Sequence, residues 1–128
     1  MPKTYQTIIA GSGPAGLIAG RHLKEAIILE KKGEIGRPVQ CGEVISKKAL
    51  SFQRITPDNQ WISSKIRQVA RILPNGTSVG EFHQEKTGYV INREEFEKSL
   101  AQNTKCEIMT GAEVINIKKL LAAKGKCR

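Results

Sequence analysis

Short apolar runs alternate with glycine turns over the first thirty residues. Thr7-Ile8-Ile9-Ala10 is β-branched and apolar, the pattern of a strand buried in a parallel sheet. Gly11, Gly13 and Gly16 interrupt it, and residues 14 to about 24 read as a helix. Ala15, Ala19 and Leu23 recur there at i, i+4 and i+8 with Ile18 beside them, so the expected buried stripe runs through the alanines. Pro14 suits the first helical turn, where a missing N–H costs nothing. Ala26-Ile27-Ile28-Leu29 is a second apolar run that ends at Glu30. Strand, glycine turn, helix and strand make a βαβ unit.

The pattern then loosens. Gly33, Gly36, Pro38 and Gly42 mark an irregular loop up to Glu43. Ser46 is placed to cap a short helix ending near Gln53. Residues 66–73 and 77–82 flank Pro74-Asn75-Gly76, a turn signal between two antiparallel strands. Residues 88–91 predict another strand, and Asn92 caps a helix from Arg93 to about Gln102 that buries Phe96 and Leu100. Residues 106–109 and 114–117 predict the last two strands, and Trp61 is expected to be a packing residue. The fold class is therefore α/β: a Rossmann-like parallel sheet with its βαβ unit, plus an antiparallel β insertion, over residues 1–117. Residues 118–128 form a basic tail with little pattern.

Composition narrows the function classes. The chain has 128 residues, 39% hydrophobic and 26% charged, the profile of one globular domain. No apolar run approaches the roughly 20 residues needed to span a bilayer, and the start lacks a signal-peptide core, so a cytoplasmic location is expected. Net charge is +9, but residues 118–128 hold five bases and no acid, which leaves +4 on the first 117 residues. Aromatics make up 5%, too few for the basic–aromatic interleaving of a nucleic-acid surface, so nucleic acid is not an expected partner. Cys41, Cys106 and Cys127 form no CxxC pair, and neither His22 nor His83 has partners at metal or triad spacing. No metal is expected.

The chemistry-bearing motif is Gly11-Ser12-Gly13-Pro14-Ala15-Gly16, a GxGxxG turn. Gly11 permits the tight exit from the strand, Gly13 lets a pyrophosphate approach the backbone, and Gly16 lets helix and strand pack closely. Glu30 lies 19 positions after Gly11, where its carboxylate can accept hydrogen bonds from ribose hydroxyls. A dinucleotide is implied. The βαβ unit does not distinguish FAD from NAD, because both share the ADP half.

The loop after Glu30 carries more. Gly36-Arg37-Pro38-Val39-Gln40-Cys41-Gly42-Glu43 resembles the Gly-x-Pro-x-x-Cys-Gly-Glu loop of the geranylgeranyl reductase family. Tyr89-Val90-Ile91-Asn92-Arg93 is similar to the strand-then-arginine segment of flavoproteins built like the aromatic hydroxylases, and Gly111-Ala112-Glu113-Val114 to their adenine-facing strand. The resemblance covers residues 5 to about 117 and is strongest through residue 45.

It implies an FAD-dependent oxidoreductase that reduces isoprenoid carbon–carbon double bonds in lipid biosynthesis. An isoprenoid lipid substrate, an unspecified electron donor and peripheral membrane contact come with it. Carried over residue by residue, Ala15 meets the pyrophosphate through its backbone and Glu30 the adenosine ribose. Cys41 and Gly42 lie along the flavin, with Cys41 the candidate catalytic group. Arg93 holds the diphosphate region, and Val114 meets adenine through its main chain. Val44 stands where the family has a very small residue and is expected to reach the flavin through its backbone. The first helix is about one turn shorter than the family's. Family members are several times longer, and their later Gly-Asp segment and lipid tunnel have no counterpart in 128 residues. The expectation is an N-terminal portion that keeps the ADP-binding half. A monooxygenase or halogenase type of flavoprotein, or a noncatalytic FAD-binding remnant, are the alternatives.

Overall fold

The computed structural model describes residues 3–80 and 87–118. His83, Cys127 and the basic tail from residue 119 onward lie outside the described residues, as does the end of the strand expected at 77–82.

Strand β1 (Thr7–Ala10), helix α1 (Pro14–Gly20) and strand β2 (Ala26–Glu30) form the βαβ unit. Strand β3 (Val44–Ser46) and helix α2 (Lys47–Phe52) follow, then β4 (Ile62–Ile66), β5 (Ala70–Ile72), β6 (Ser78–Gly80) and β7 (Gly88–Ile91). Helix α3 (Arg93–Gln102) and strand β8 (Glu107–Thr110) complete the order. β1, β2 and β8 make a three-stranded parallel sheet with β2 in the centre. β3, β7 and β4 make an antiparallel sheet in that order, and β5 and β6 pair as a separate hairpin.

The core joins the parallel sheet to helices α1, α2 and α3 and to strand β7. Leu17, Ile28, Leu50, Trp61, Ile91, Phe96 and Leu100 are buried in one cluster. Trp61 meets Phe96 edge-on, with ring centroids 4.9 Å apart, so the packing role expected for Trp61 holds. Asn92 caps α3 through its side-chain oxygen, which accepts from Glu95 N–H at 3.1 Å, and Ser46 caps α2 in the same way from Ala49.

Three expectations are corrected. Helix α1 ends at Gly20, not near residue 24. The N–H groups of Arg21 and His22 close back on the carbonyls of Ile18 and Ala19, three residues earlier, which tightens the last turn and frees residues 21–25 to reach β2. Its buried face is also different: Leu17 and Gly20 are buried while Ala15 and Ala19 are exposed. A Cβ on Gly20 would come within 2.7 Å of Cys106 Sγ and 2.9 Å of Thr104 Cγ2, so the helix packs through its glycine side. Periodicity favoured the alanines because glycine carries no hydrophobic signal. Second, the single strand expected over 66–73 is two strands, β4 ending at Ile66 and β5 starting at Ala70, each paired with a different neighbour. Third, residues 114–117 are not a strand. They lie beside no ladder partner among the described residues, and Ile115 and Ile117 are 87% and 88% exposed.

Candidate functional site

The loops that matter gather at the carboxyl ends of the parallel strands, where α/β sheets bind ligands. The glycine turn leaves β1 there. Gly11 adopts φ +98°, a conformation that disfavours any side chain. A Cβ on Gly16 would sit 2.1 Å from Gly11 O, so helix and turn touch backbone to backbone. A Cβ on Gly13, by contrast, would meet nothing within 4 Å. The three glycines thus divide their work as the motif predicts: one turns the chain, one packs, and one leaves open space above the backbone.

Glu30 closes the turn from below. Its Oε2 accepts from Ser12 N–H at 2.6 Å and from Ser12 Oγ–H at 2.8 Å, and its Oε1 accepts from Lys32 N–H at 2.9 Å. Burial at 7% exposure pushes the carboxyl pKa up, but the hydrogen bonds from Lys32 and Ser12 outweigh it and hold the group below the ordinary carboxylate value. The ionised form offers about four lone-pair positions, so three bonds leave room for a hydroxyl donor.

The loop over residues 33–43 folds onto α3. Gly36 has φ +83°, and a Cβ on it would come within 2.9 Å of Glu94 Cα. Arg37 Nε donates to Glu94 at 2.8 Å, and Lys98 Nζ bridges Glu94 and Glu34. At the loop's end Glu43 accepts from Arg93 N–H at 3.0 Å, and its carbonyl accepts from Ile91 N–H at 2.8 Å. Arg93 itself is half-buried and donates through Nε to Glu97 at 2.6 Å. That is the one side-chain hydrogen bond of Arg93 among the described residues, so its terminal nitrogens keep their donors.

Gly13, Glu30, Cys41 and Arg93, from four separate segments, line a single cleft of about 190 Å³. Ser12, Lys32, Gly36, Pro38, Val39, Gln40 and Glu97 complete its walls. Cys41 is exposed on the loop. Pro14 and Ala15 begin α1 at the cleft's edge, whereas Gly42, Val44 and Val114 do not line it; Val44 is 62% exposed in β3. A larger cleft of about 550 Å³, bordered by Lys3, Tyr5, Lys24 and Glu107, lies at the amino ends of the strands and shares no residue with the glycine turn. Ser12, Lys32, Glu43 and Glu97 escaped the sequence reading as separate contributors. Only Glu97 had a legible signal, its i+4 spacing from Arg93 on a helix.

A parallel sheet, a glycine turn at its carboxyl edge and an acid closing the second strand define an α/β fold of the dinucleotide-binding type. The solved structure of a geranylgeranyl bacteriochlorophyll reductase-like protein from Thermoplasma acidophilum superposes with a TM-score of 0.82 and 28% identity, over 93% of this chain and 33% of that one. The p-nitrophenol 4-monooxygenase of Pseudomonas putida shares the fold, with a TM-score of 0.64 at 14% identity over 93% of this chain and 35% of its own. No family model matches. By sequence, digeranylgeranylglycerophospholipid reductase 1 of Methanopyrus kandleri is 40% identical over 114 residues, 86% of this chain and 29% of the relative. The corresponding reductase of Methanoculleus marisnigri is 36% identical over 123 residues, 90% of this chain and 30% of its own length. The chain belongs to the geranylgeranyl reductase family, and spans about three tenths of the length of the curated relatives it matches.

Proposed function

We propose that the cleft binds FAD and that the chain supplies the ADP-binding part of an FAD-dependent reductase acting on isoprenoid carbon–carbon double bonds. One observation carries the reading: four sequence-distant segments bring Gly13, Glu30, Cys41 and Arg93 into one cleft at the carboxyl end of the sheet. The residues fit the cofactor. Open space above Gly13 suits a pyrophosphate, and the remaining lone pairs on Glu30 suit a ribose hydroxyl. The guanidinium of Arg93, oriented by Glu97, keeps terminal donors for the diphosphate. Ala15 contributes backbone at the start of α1. Gly42, Val44 and Val114 are assigned to the flavin and adenine ends, beyond this cleft.

Bound flavin supplies the hydride chemistry. The protein's part is to hold and orient. Glu30 stays ionised and so would reject a 2′-phosphate, Glu43 pins the loop that carries Cys41 to the start of α3, and Cys41 would deliver a proton or shape the space beside the ring. The substrate class follows from the family, whose curated relatives are named for a digeranylgeranyl glycerophospholipid.

Titration of the purified chain with FAD, followed by flavin fluorescence, tests the reading. Saturable binding weakened roughly tenfold or more by both Glu30→Ala and Arg93→Ala is the expected result, in line with losing one charge-assisted contact each. A folded chain that leaves flavin fluorescence unchanged at all concentrations refutes it.

A further inference from the structure

Ser12 and Glu30 meet because of how the first two strands pair. The parallel ladder sets Ala10 beside Leu29, and Gly11 N–H donates to Leu29 O at 2.8 Å. The next residue of the glycine turn, Ser12, therefore reaches the last residue of β2. Both side chains are buried, Ser12 at 3% and Glu30 at 7% exposure, and both line the cleft.

The three hydrogen bonds on the carboxylate are divided unevenly. Oε2 accepts twice from Ser12, from its N–H at 2.6 Å and its hydroxyl at 2.8 Å, whereas Oε1 accepts once, from Lys32 N–H at 2.9 Å. A carboxylate offers about four lone-pair positions, two to an oxygen. Oε2 is therefore full, and the remaining position lies on Oε1. Two of the three donors are backbone N–H groups, which any residue but proline supplies. The Ser12 hydroxyl alone depends on a side chain, and alanine or glycine at position 12 would leave a position open on Oε2. The difference matters for a nucleotide ribose, which presents two adjacent hydroxyls, 2′ and 3′. A carboxylate with one position free on each oxygen accepts both. Glu30, as Ser12 holds it, accepts one.

We propose that Ser12 is a positioning residue that fills Oε2 of Glu30 and so limits the site to a single ribose hydroxyl, accepted at Oε1. The inference rests on the reading of this cleft as the FAD site, and it names how the ribose is held there.

ADP, 2′-deoxyADP and 3′-deoxyADP are compared as competitors of FAD on the full chain. One of the two deoxy compounds is expected to compete about tenfold more weakly than ADP and the other within about twofold of it, since one hydrogen bond to a charged group separates them. In Ser12→Ala, which removes only the hydroxyl, both deoxy compounds are expected to be weakened, because a second position opens. Equal behaviour of the two deoxy compounds in the unaltered chain overturns the proposal, as does an unchanged pattern in Ser12→Ala.

The carboxyl carbon of Glu30, followed by NMR against pH in the chain without nucleotide, gives a second reading that needs no cofactor. Burial opposes ionisation of this group, while hydrogen bonds from Lys32 and Ser12 and the Lys32 charge favour it. Ser12→Ala is thus expected to raise the titration midpoint. FAD binding by the unaltered chain together with an unmoved midpoint would overturn this proposal alone. A folded chain that binds no FAD yet shows the raised midpoint would overturn the cofactor reading, and the ribose limit with it.

Discussion

The carboxylate of Glu43 accepts the backbone N–H of Arg93 at 3.0 Å across 50 residues of chain, tying the Cys41 loop to the first turn of α3. Glu43 takes φ +52° to make this contact, a left-handed conformation unfavourable for a side chain. Glu43→Ala removes the bond and keeps the strain, and is expected to destabilise the fold by about 1–2 kcal/mol in urea unfolding. Glu43→Gly also loses the bond but relieves the strain, so its loss should be smaller by about 1 kcal/mol. Equal losses in the two variants would show that the backbone conformation carries no cost.

Gly16 and Gly13 lie three positions apart and are predicted to behave oppositely. Gly16→Ala drives a methyl onto Gly11 O, backbone against backbone, and should cost about 2–3 kcal/mol of stability. Gly13 sits at φ −65° with open space above it, so Gly13→Ala should melt within a few degrees of the unaltered chain. FAD titration should nonetheless show a weaker Gly13→Ala complex, because the methyl fills the space proposed for the pyrophosphate.

Glu30 links pH to stability. Its folded pKa is depressed, so it contributes stability that is fully present above its unfolded value, near 4.3 for glutamate, and is lost as pH falls through the folded value. Glu30→Gln should therefore be less stable at neutral pH and show a flatter decline below about pH 4.3. Urea midpoints measured from pH 7 downward check this, and parallel curves for the two proteins would remove Glu30 from the acid response.

The single tryptophan reports the core. Trp61 is buried against Phe96, so its emission should be blue in the folded chain and move red on unfolding. Phe96→Ala should cost about 3–5 kcal/mol and lower the unfolding midpoint by the same transition, without a second step. A separate, earlier red shift would mean that the two rings do not belong to one cooperative unit.

Local chemistry accounts for what was legible. Asn92 and Ser46 as caps and the Pro74-Asn75-Gly76 turn rest on interactions within a few residues, and each stands in the structure; β1 and β2 were legible from their apolar runs, although their ladders pair residues 19 and 80 positions apart. Gly11, Gly13 and Gly16 were readable locally, like the caps, since backbone geometry is encoded at the residue itself. Helix α1 misled because its contact face is made of Gly20 and Leu17, and an absent side chain leaves no hydrophobic signal to follow.

The site needed the third dimension. The sequence by itself determined the βαβ unit, the phosphate turn and the acid 19 positions on. Tertiary packing decided that Cys41 and Arg93 stand beside that turn. It also decided that Ser12 and Lys32 hold Glu30, and that Glu43 fastens the loop to α3. Those contacts join residues 18 to 50 positions apart, and one (Lys32 to Glu30) is local yet exists only because β2 ends where the sheet ends. Whether 114–117 form a strand is likewise a matter of tertiary partners: Val114, Ile115 and Ile117 carry β-forming side chains, but a strand exists only where a neighbour accepts its hydrogen bonds.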